Sequence, residues 1–523
     1  MPAARYRPAN GDGTGRGFAG IGGGVVRDDA IDLFFARAAA APAHPAVVVD
    51  GRSLSYGQLV GLSRRFASVF ARAAEPRVLI ALPAGGEAYA AMLGAGLAGG
   101  FYTPVNIDSP PLKLRRIARL LRPNIVVAEG ELGAALCEEV PEALLVAPGA
   151  LPPTELAAAH GQPRHGTAYV MFTSGSTGEP KGVVIPRAAL DHYVAWMRRA
   201  GMFTAADRVS QYASIGFDFS VMEIYGGLCA GATLYPVLGQ GTRLFPASLI
   251  ADERITVWSS VPSVISLMMR ADSLTAENLA SLRLFNFCGE PLLPQHLAAI
   301  FAACPRAVVQ NTYGPTEATV SMTSLPMTAA DYSRFCRASV ALGDAIAGMG
   351  LHLVGGGHPD EGQIVITGPQ LASGYWRDEA RTAELFRPVE IAGETVTGYF
   401  TGDWAERHDG QVYFKERMDF QVKIKGIRIE LDEVAAALRD IGWPVVCVLN
   451  QDDALVAVVE RRAGARFDRR VMIDALTLRL ENPAVPKIIH LIEQMPRNEN
   501  GKIDRRAVAA WLDSAEAERA DMV

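Results

Sequence analysis

The sequence has little that would mark a secreted, membrane-spanning or nucleic-acid-binding protein. Its six cysteines, Cys137, Cys229, Cys288, Cys304, Cys336 and Cys447, lie far apart and form no C-x-x-C pair. A short disulfide framework is therefore excluded, and a reducing cytoplasm fits best. Arg5 and Arg7 are not followed by an apolar run and cleavage site, so the N-terminus does not read as a secretory signal. The most apolar long stretch, Ala88 to Val105, is built from Ala and Gly interrupted by Tyr and Thr, a poor composition for a bilayer. It predicts a buried helix followed by a strand. Positive charge is not in excess, with 50 Lys and Arg against 56 Asp and Glu and a net charge of -6, so no field is available to hold a nucleic-acid backbone.

What is present is an ordinary globular composition, 49% hydrophobic and 20% charged. The 523 residues exceed the roughly 250–300 over which one core keeps growing, so at least two folding units are expected. Residues 1–27 are rich in Gly and Arg without helical or alternating period and predict a tail lacking fixed structure. Gly15-Arg16-Gly17-Phe18-Ala19-Gly20 within it matches G-x-G-x-x-G, but no strand precedes it and no helix follows, so it is a chance match. From about Asp29 to Val340, short apolar runs such as Val78 to Ala81 and Ile125 to Val127 alternate with segments of helical period. This predicts an α/β architecture of helix-covered parallel sheets. Between about 350 and 415 the pattern changes to short strands separated by Gly-containing turns, a small β-rich subdomain. The large unit is thus placed at 28–418. A strand-like run from Phe420 to Ile424 and a helix from Leu431 to Leu438 then open a compact α+β unit, 419–523. No internal repeat is visible.

Thr173-Ser174-Gly175-Ser176-Thr177-Gly178-Glu179-Pro180-Lys181-Gly182 follows the apolar strand Tyr169 to Phe172. Glycines let backbone N–H groups converge on an anion, hydroxyls add donors and Lys181 adds charge, so the segment reads as a phosphate loop. It is not a Walker A loop, because Gly-Lys-Ser/Thr is missing.

With this loop the sequence resembles the adenylate-forming superfamily of acyl- and aryl-CoA synthetases, luciferases and nonribosomal peptide synthetase adenylation domains, over roughly Asp29 to Arg505. The other motifs of that superfamily stand in order: Leu54-Ser55-Tyr56, Tyr102 to Val105, Asn311-Thr312-Tyr313-Gly314-Pro315-Thr316-Glu317, Tyr399 to Asp403, Arg417 to Gly426 and Asn500-Gly501-Lys502. The resemblance implies ATP and Mg²⁺, with a mobile C-terminal domain. Thr173, Ser174, Gly175, Ser176, Thr177, Gly178 and Lys181, together with Asn311, Thr312, Tyr313, Gly314, Thr316, Asp403, Arg417 and Lys502, would bind the nucleotide. Tyr313 would stack on adenine, Asp403 would accept from the ribose hydroxyls and Glu317 would hold the metal. Lys502 would bridge carboxylate and phosphate, making Lys502, Thr173, Lys181 and Glu317 the catalytic set. Asp419 matches a hinge that withdraws Lys502 after adenylation and brings Lys423 to Gly426 toward the thioester-forming site. The chain departs from the pattern at Glu416, where Gly is usual, and at Ala345 and Gln363.

Asp218 matches the carboxylate by which amino-acid-activating members hold the substrate ammonium; a plain acid would leave it buried and unpaired. An Asp capping the nearby helix is the alternative. Carrying over the remaining pocket positions gives Phe219, Met222, Ser263, Asn286, Cys288, Thr312, Val320 and Ser321. Phe219, Met222 and Cys288 would fill volume, so the side chain should be small. Cys288 is read as a packed, inert thiol rather than a nucleophile. Phe287 to Glu290 and Asn311 to Ser321 look particularly similar to D-alanine:carrier-protein ligases, with enzymes for small β-amino acids as close relatives. No Gly-Gly-x-Ser attachment site follows Lys502, so the expected acceptor is the phosphopantetheine thiol of a separate carrier protein, with no membrane partner. A CoA ligase for a small acid and an inactive homologue are the competing readings.

Overall fold

The computed structural model describes residues 29–153, 166–175, 179–418, 421–424, 427–451, 454–461, 466–497 and 503–514. The N-terminal tail, Ser176 to Gly178, Asp419, Lys425-Gly426 and Lys502 lie outside them.

Regular structure begins where the Asp29 carboxylate accepts from the backbone N–H groups of Ile31 and Asp32 and starts the helix Ala30–Ala40. Ser55 and Gln58 form a capping box for the helix Tyr56–Phe70. The Ala/Gly-rich helix Gly86–Leu97 packs on it so closely that a Cβ at Gly94 would lie 2.8 Å from Phe66 Cβ and 2.9 Å from the Ser63 carbonyl oxygen. The composition that excluded a membrane span is therefore what lets two helices touch.

Seven strands form one sheet in the order Gly374–Tyr375, Lys181–Pro186, Thr167–Thr173, Phe101–Pro104, Arg77–Ala81, Ile125–Ala128 and Leu144–Val146. Its central strands are parallel and buried on both faces, which is why they read as unbroken apolar runs. Val78 and Ile80 point into one core cluster, Leu79 and Ala81 into another. A nine-stranded sheet runs through Val308–Asn311, Leu284–Phe287, Val257–Ser260 and Arg208–Gln211, all parallel, with antiparallel strands at both edges. A five-stranded antiparallel sheet occupies residues 350–417.

Residues from Val422 onward pack into two clusters of their own. They are built from the hairpin Gln421–Ile424 and Ile427–Glu430, the helix Leu431–Asp440 and a three-stranded sheet. Several side chains join this small unit to the rest. Glu481 accepts from Ser109 Oγ at 2.6 Å and Lys113 Nζ at 2.9 Å, and the hairpin enters the candidate site.

Candidate active site

The phosphate loop joins two antiparallel strands, with Thr173 paired to Lys181. No helix follows it, so an anion held here would be bound by backbone N–H groups, hydroxyls and the lysine, without a helix dipole. The turn leaves no room for a side chain at Gly175, where a Cβ would overlap the Glu179 carbonyl oxygen. Thr173 Oγ1 is buried without a hydrogen-bond partner among the described residues, a donor left over for a ligand.

Cys288 and Thr312 stand just past the carboxyl ends of the adjacent parallel strands Leu284–Phe287 and Val308–Asn311, where open α/β sheets place their ligand sites. Three cavities converge there. The first, of about 400 Å³, is lined by Asn311, Thr312, Tyr313, Gly314, Asp403 and Arg417, along with other residues. Across it the Asp403 carboxylate accepts from the Tyr313 hydroxyl at 2.5 Å and from Arg417 Nη1 at 2.7 Å. These six belong to the larger nucleotide set expected from the resemblance, and Tyr313 is buried among them.

The second cavity is small, about 40 Å³, and Asp218, Phe219, Cys288, Val320, Gly314 and Thr316 are among the residues that line it. Asp218 is buried and carries no ion pair among the described residues. Burial pushes its carboxyl up to about 6, and the nearby charge of Glu317 adds to the rise, against the hydrogen bond from Thr316 and the charges of Lys423 and Arg428, which line the same cavity. Although Asp218 occupies the N-cap position of the helix Phe219–Ala230, its side chain makes no capping bond. The helix-cap alternative is thereby excluded. Burial likewise raises the Cys288 thiol to about 11, and its Sγ lies 3.7 Å from the Val320 carbonyl oxygen, the environment of an inert thiol.

The other residues carried over to this pocket lie outside its wall. Met222 is buried in the core cluster of the same helix. Asn286 Nδ2 donates to Ser259 Oγ and Ser321 Oγ meets the Tyr193 hydroxyl, and both residues are buried. Thr312 faces the nucleotide cavity and donates to the Phe287 carbonyl oxygen. Ser263 starts the helix Ser263–Arg270 and its N–H donates to Glu290.

The third cavity, about 390 Å³, shares Asp218, Phe219 and Thr316 with the small one and is also lined by Asn106, Ser214 and Gly216. Ile427 and Arg428 of the small unit close one side of it.

Sequence reasoning missed the hairpin's own side chains. On Ile427–Glu430, Ile429 faces the small unit's core, so by strand alternation Arg428 and Glu430 face the large unit. Arg428 Nη1 donates to both Glu317 oxygens, at 3.0 and 3.1 Å, and Glu430 pairs with Lys181 at 3.1 Å. Ser174 Oγ donates to the Arg428 carbonyl oxygen, Gln421 to Glu430, and the Tyr375 hydroxyl to Glu317 at 2.6 Å. Burial alone would raise the Glu317 carboxyl, but Arg428, Lys181 and the Tyr375 hydroxyl hold it down to about 2. Burial and the neighbouring Arg428 lower Lys181 to about 8. The alternation Ile-Arg-Ile-Glu was visible in the sequence as a charged strand face; the surface it meets was not.

Comparison with known proteins agrees with this geometry. Residues 34–376 match the family described as AMP-binding enzyme. The D-alanine--D-alanyl carrier protein ligase of Staphylococcus aureus (strain JH9) is 30% identical over 507 residues, 93% of this chain and 99% of that protein. Among solved structures, the Vibrio cholerae adenylation domain AlmE in complex with glycyl-adenosine-5'-phosphate superposes with a TM-score of 0.79 at 25% identity, covering 95% of this chain and all of that one. IdnL7 gives a TM-score of 0.68 at 28% identity, covering 93% and 99%. A family match over more than half of the chain and a relative aligned along nearly its whole length lead to one identification: the chain belongs to the AMP-binding enzyme family and is an ATP-using, adenylate-forming ligase.

Proposed function

We propose that the chain activates a small amino acid as its aminoacyl adenylate and passes the acyl group to the phosphopantetheine thiol of a separate carrier protein. The observation that carries this reading is Asp218, a buried carboxylate without an ion-pair partner among the described residues, at the wall of a cavity of about 40 Å³. An ammonium would supply the missing charge, and the walls of Phe219, Cys288 and Val320 leave room for little beyond a methyl-sized side chain. The names of the relatives support an alanine- or glycine-like substrate and a carrier acceptor.

In this reading the substrate carboxylate attacks the α-phosphorus of ATP, the bond to the bridging oxygen breaks and pyrophosphate leaves with the electron pair. Lys502 would neutralise the approach of the two anions, and Asp419 would be the hinge for its withdrawal. Glu317, whose two oxygens accept from Arg428 here, would hold Mg²⁺, a hard cation suited to a carboxylate, with Arg428 withdrawn. Among the described residues no group of three or more His, Cys, Asp or Glu gathers, so the remaining ligands would be phosphate oxygens and water. In this reading the cavity beside Asn106, Ser214 and Gly216 would be the path of the thiol to the acyl carbon.

The test is amino-acid-dependent pyrophosphate exchange with D-alanine, L-alanine, glycine, serine and small β-amino acids, followed by acyl transfer to a phosphopantetheinylated carrier or to free CoA. Exchange with one small amino acid and transfer to the carrier are expected. Exchange driven by acids lacking an amino group, with transfer to CoA, would replace this reading with that of a CoA ligase.

A further inference from the structure

Behind the phosphate loop lies a fourth cavity, of about 340 Å³, which shares only Phe172 with the acceptor channel and no residue with the nucleotide or amino-acid cavities. Its floor is the loop itself, Gly175 and Glu179 to Gly182. Its lining carries the four arginines Arg119, Arg122, Arg377 and Arg381 against two carboxylates, Glu179 and Asp378, so positive charge is in excess. Arg119 is committed to Glu139. Arg122 and Arg377 are exposed and carry no carboxylate partner among the described residues.

Two features make these two arginines unexpected on structural grounds alone. Both stand in the left-handed backbone region, Arg122 at φ 51° and Arg377 at φ 56°. Arg122 occupies the C-cap of the helix Pro111–Leu121, a position that favours Gly or Asn. They also repel each other: burial and then the charges of Arg122 and Arg77 push the Arg377 guanidinium below its usual range. The fold thus holds two like charges, each on an unfavourable backbone, at the mouth of a cavity ending on the phosphate loop. Meanwhile Lys181, inside, is taken by Glu430 of the small unit. An anion displaced from Lys181 by that carboxylate needs positive charge elsewhere.

We propose that this basic mouth is a pyrophosphate site, through which the co-product of adenylation leaves and from which it re-enters in the reverse reaction. The inference rests on the reading that the chain cleaves ATP between its α- and β-phosphates. The site takes the small, multiply charged phosphate anion and not the nucleoside, which occupies the separate cavity around Tyr313.

Arg122→Gly and Arg377→Gly remove the charges while giving the backbone the residue its φ favours, so folding is not at risk. In pyrophosphate exchange with the full chain, the double variant should raise the KM for pyrophosphate about five- to tenfold, with the KM values for ATP and amino acid unchanged. Lysine at both positions should recover most of the loss. Calorimetric titration of the unliganded full chain with inorganic pyrophosphate should show the same weakening. An unchanged pyrophosphate KM and affinity in the double variant overturns the site, as does an equal effect from neutralising the remote Arg270. Absence of exchange with every amino acid tried would instead strike the substrate reading, and the calorimetry still decides this one.

Discussion

Asp218 and Glu317 are both buried carboxylates lining one reaction site, yet the protein treats them oppositely. Asp218 faces a small cavity with no ion-pair partner among the described residues, and its proton affinity is raised to about 6. Glu317 is gripped by Arg428 and a tyrosine hydroxyl with Lys181 nearby, and is held near 2. The first is a charge waiting for a cationic ligand. The second is a charge already satisfied, by Arg428 of the small unit. The difference separates a carboxylate left open toward a cavity from one already bound by the small unit.

The largest way to break this contrast is at the satisfied charge. Glu317→Gln leaves Arg428 without its carboxylate and should cost about 3 kcal/mol, roughly a hundredfold, in the thioester half-reaction measured from a supplied adenylate. Arg428→Gln should reduce the same half-reaction by a similar factor. Thioester formation at the native rate in both variants would show that the pair does not secure the hairpin.

A smaller effect is expected at the waiting charge. Asp218→Asn should lower kcat/KM for the amino acid by about 2 kcal/mol, with the KM for ATP unchanged. The pH profile sharpens the point. Because its affinity for a proton is raised, Asp218 is neutral below about pH 6 and charged above it. Amino-acid kcat/KM should therefore fall about tenfold per unit below that value, whereas Glu317, held near 2, stays ionised throughout. On the alkaline side Lys181, lowered by burial, loses its charge above about 8 and activity should decline again. An acid limb that persists in Asp218→Asn would assign it to another group.

The smallest effect concerns the wall. Phe219→Ala should improve larger side chains such as leucine relative to the native substrate by about 1 kcal/mol per accommodated methylene. An unchanged ranking of amino acids in the exchange assay would remove Phe219 from the pocket.

The sequence made some of this legible and hid the rest for identifiable reasons. The phosphate loop could be read from its own residue types, because it lies on one short segment, whereas Asp218 and the Asn311 to Glu317 run were legible only through the resemblance to the adenylate-forming superfamily. Met222 and Ser263 could not be placed, because a motif match gives a position along the chain and not the face it presents. The helix Phe219–Ala230 is buried all round, so nothing in its pattern distinguishes the face toward the cavity from the face toward the core. The Glu317–Arg428 pair spans 111 residues and two folding units, a contact that local pattern does not encode. The parallel strands were visible as apolar runs; that the phosphate loop ends in an antiparallel strand rather than a helix was not.

The depth of the contacts between the two units sorts them by sensitivity to ionic strength. Lys181–Glu430 has side chains 5% and 7% exposed, whereas Arg116–Asp440 has 35% and 57%. At physiological salt, exposed charges are screened beyond about 8 Å while buried pairs are little affected. Raising salt would therefore loosen the periphery of the small unit first and leave its hairpin anchored on Lys181 and Glu317. Such a unit would part from the large one at its rim before it parts at Lys181 and Glu317.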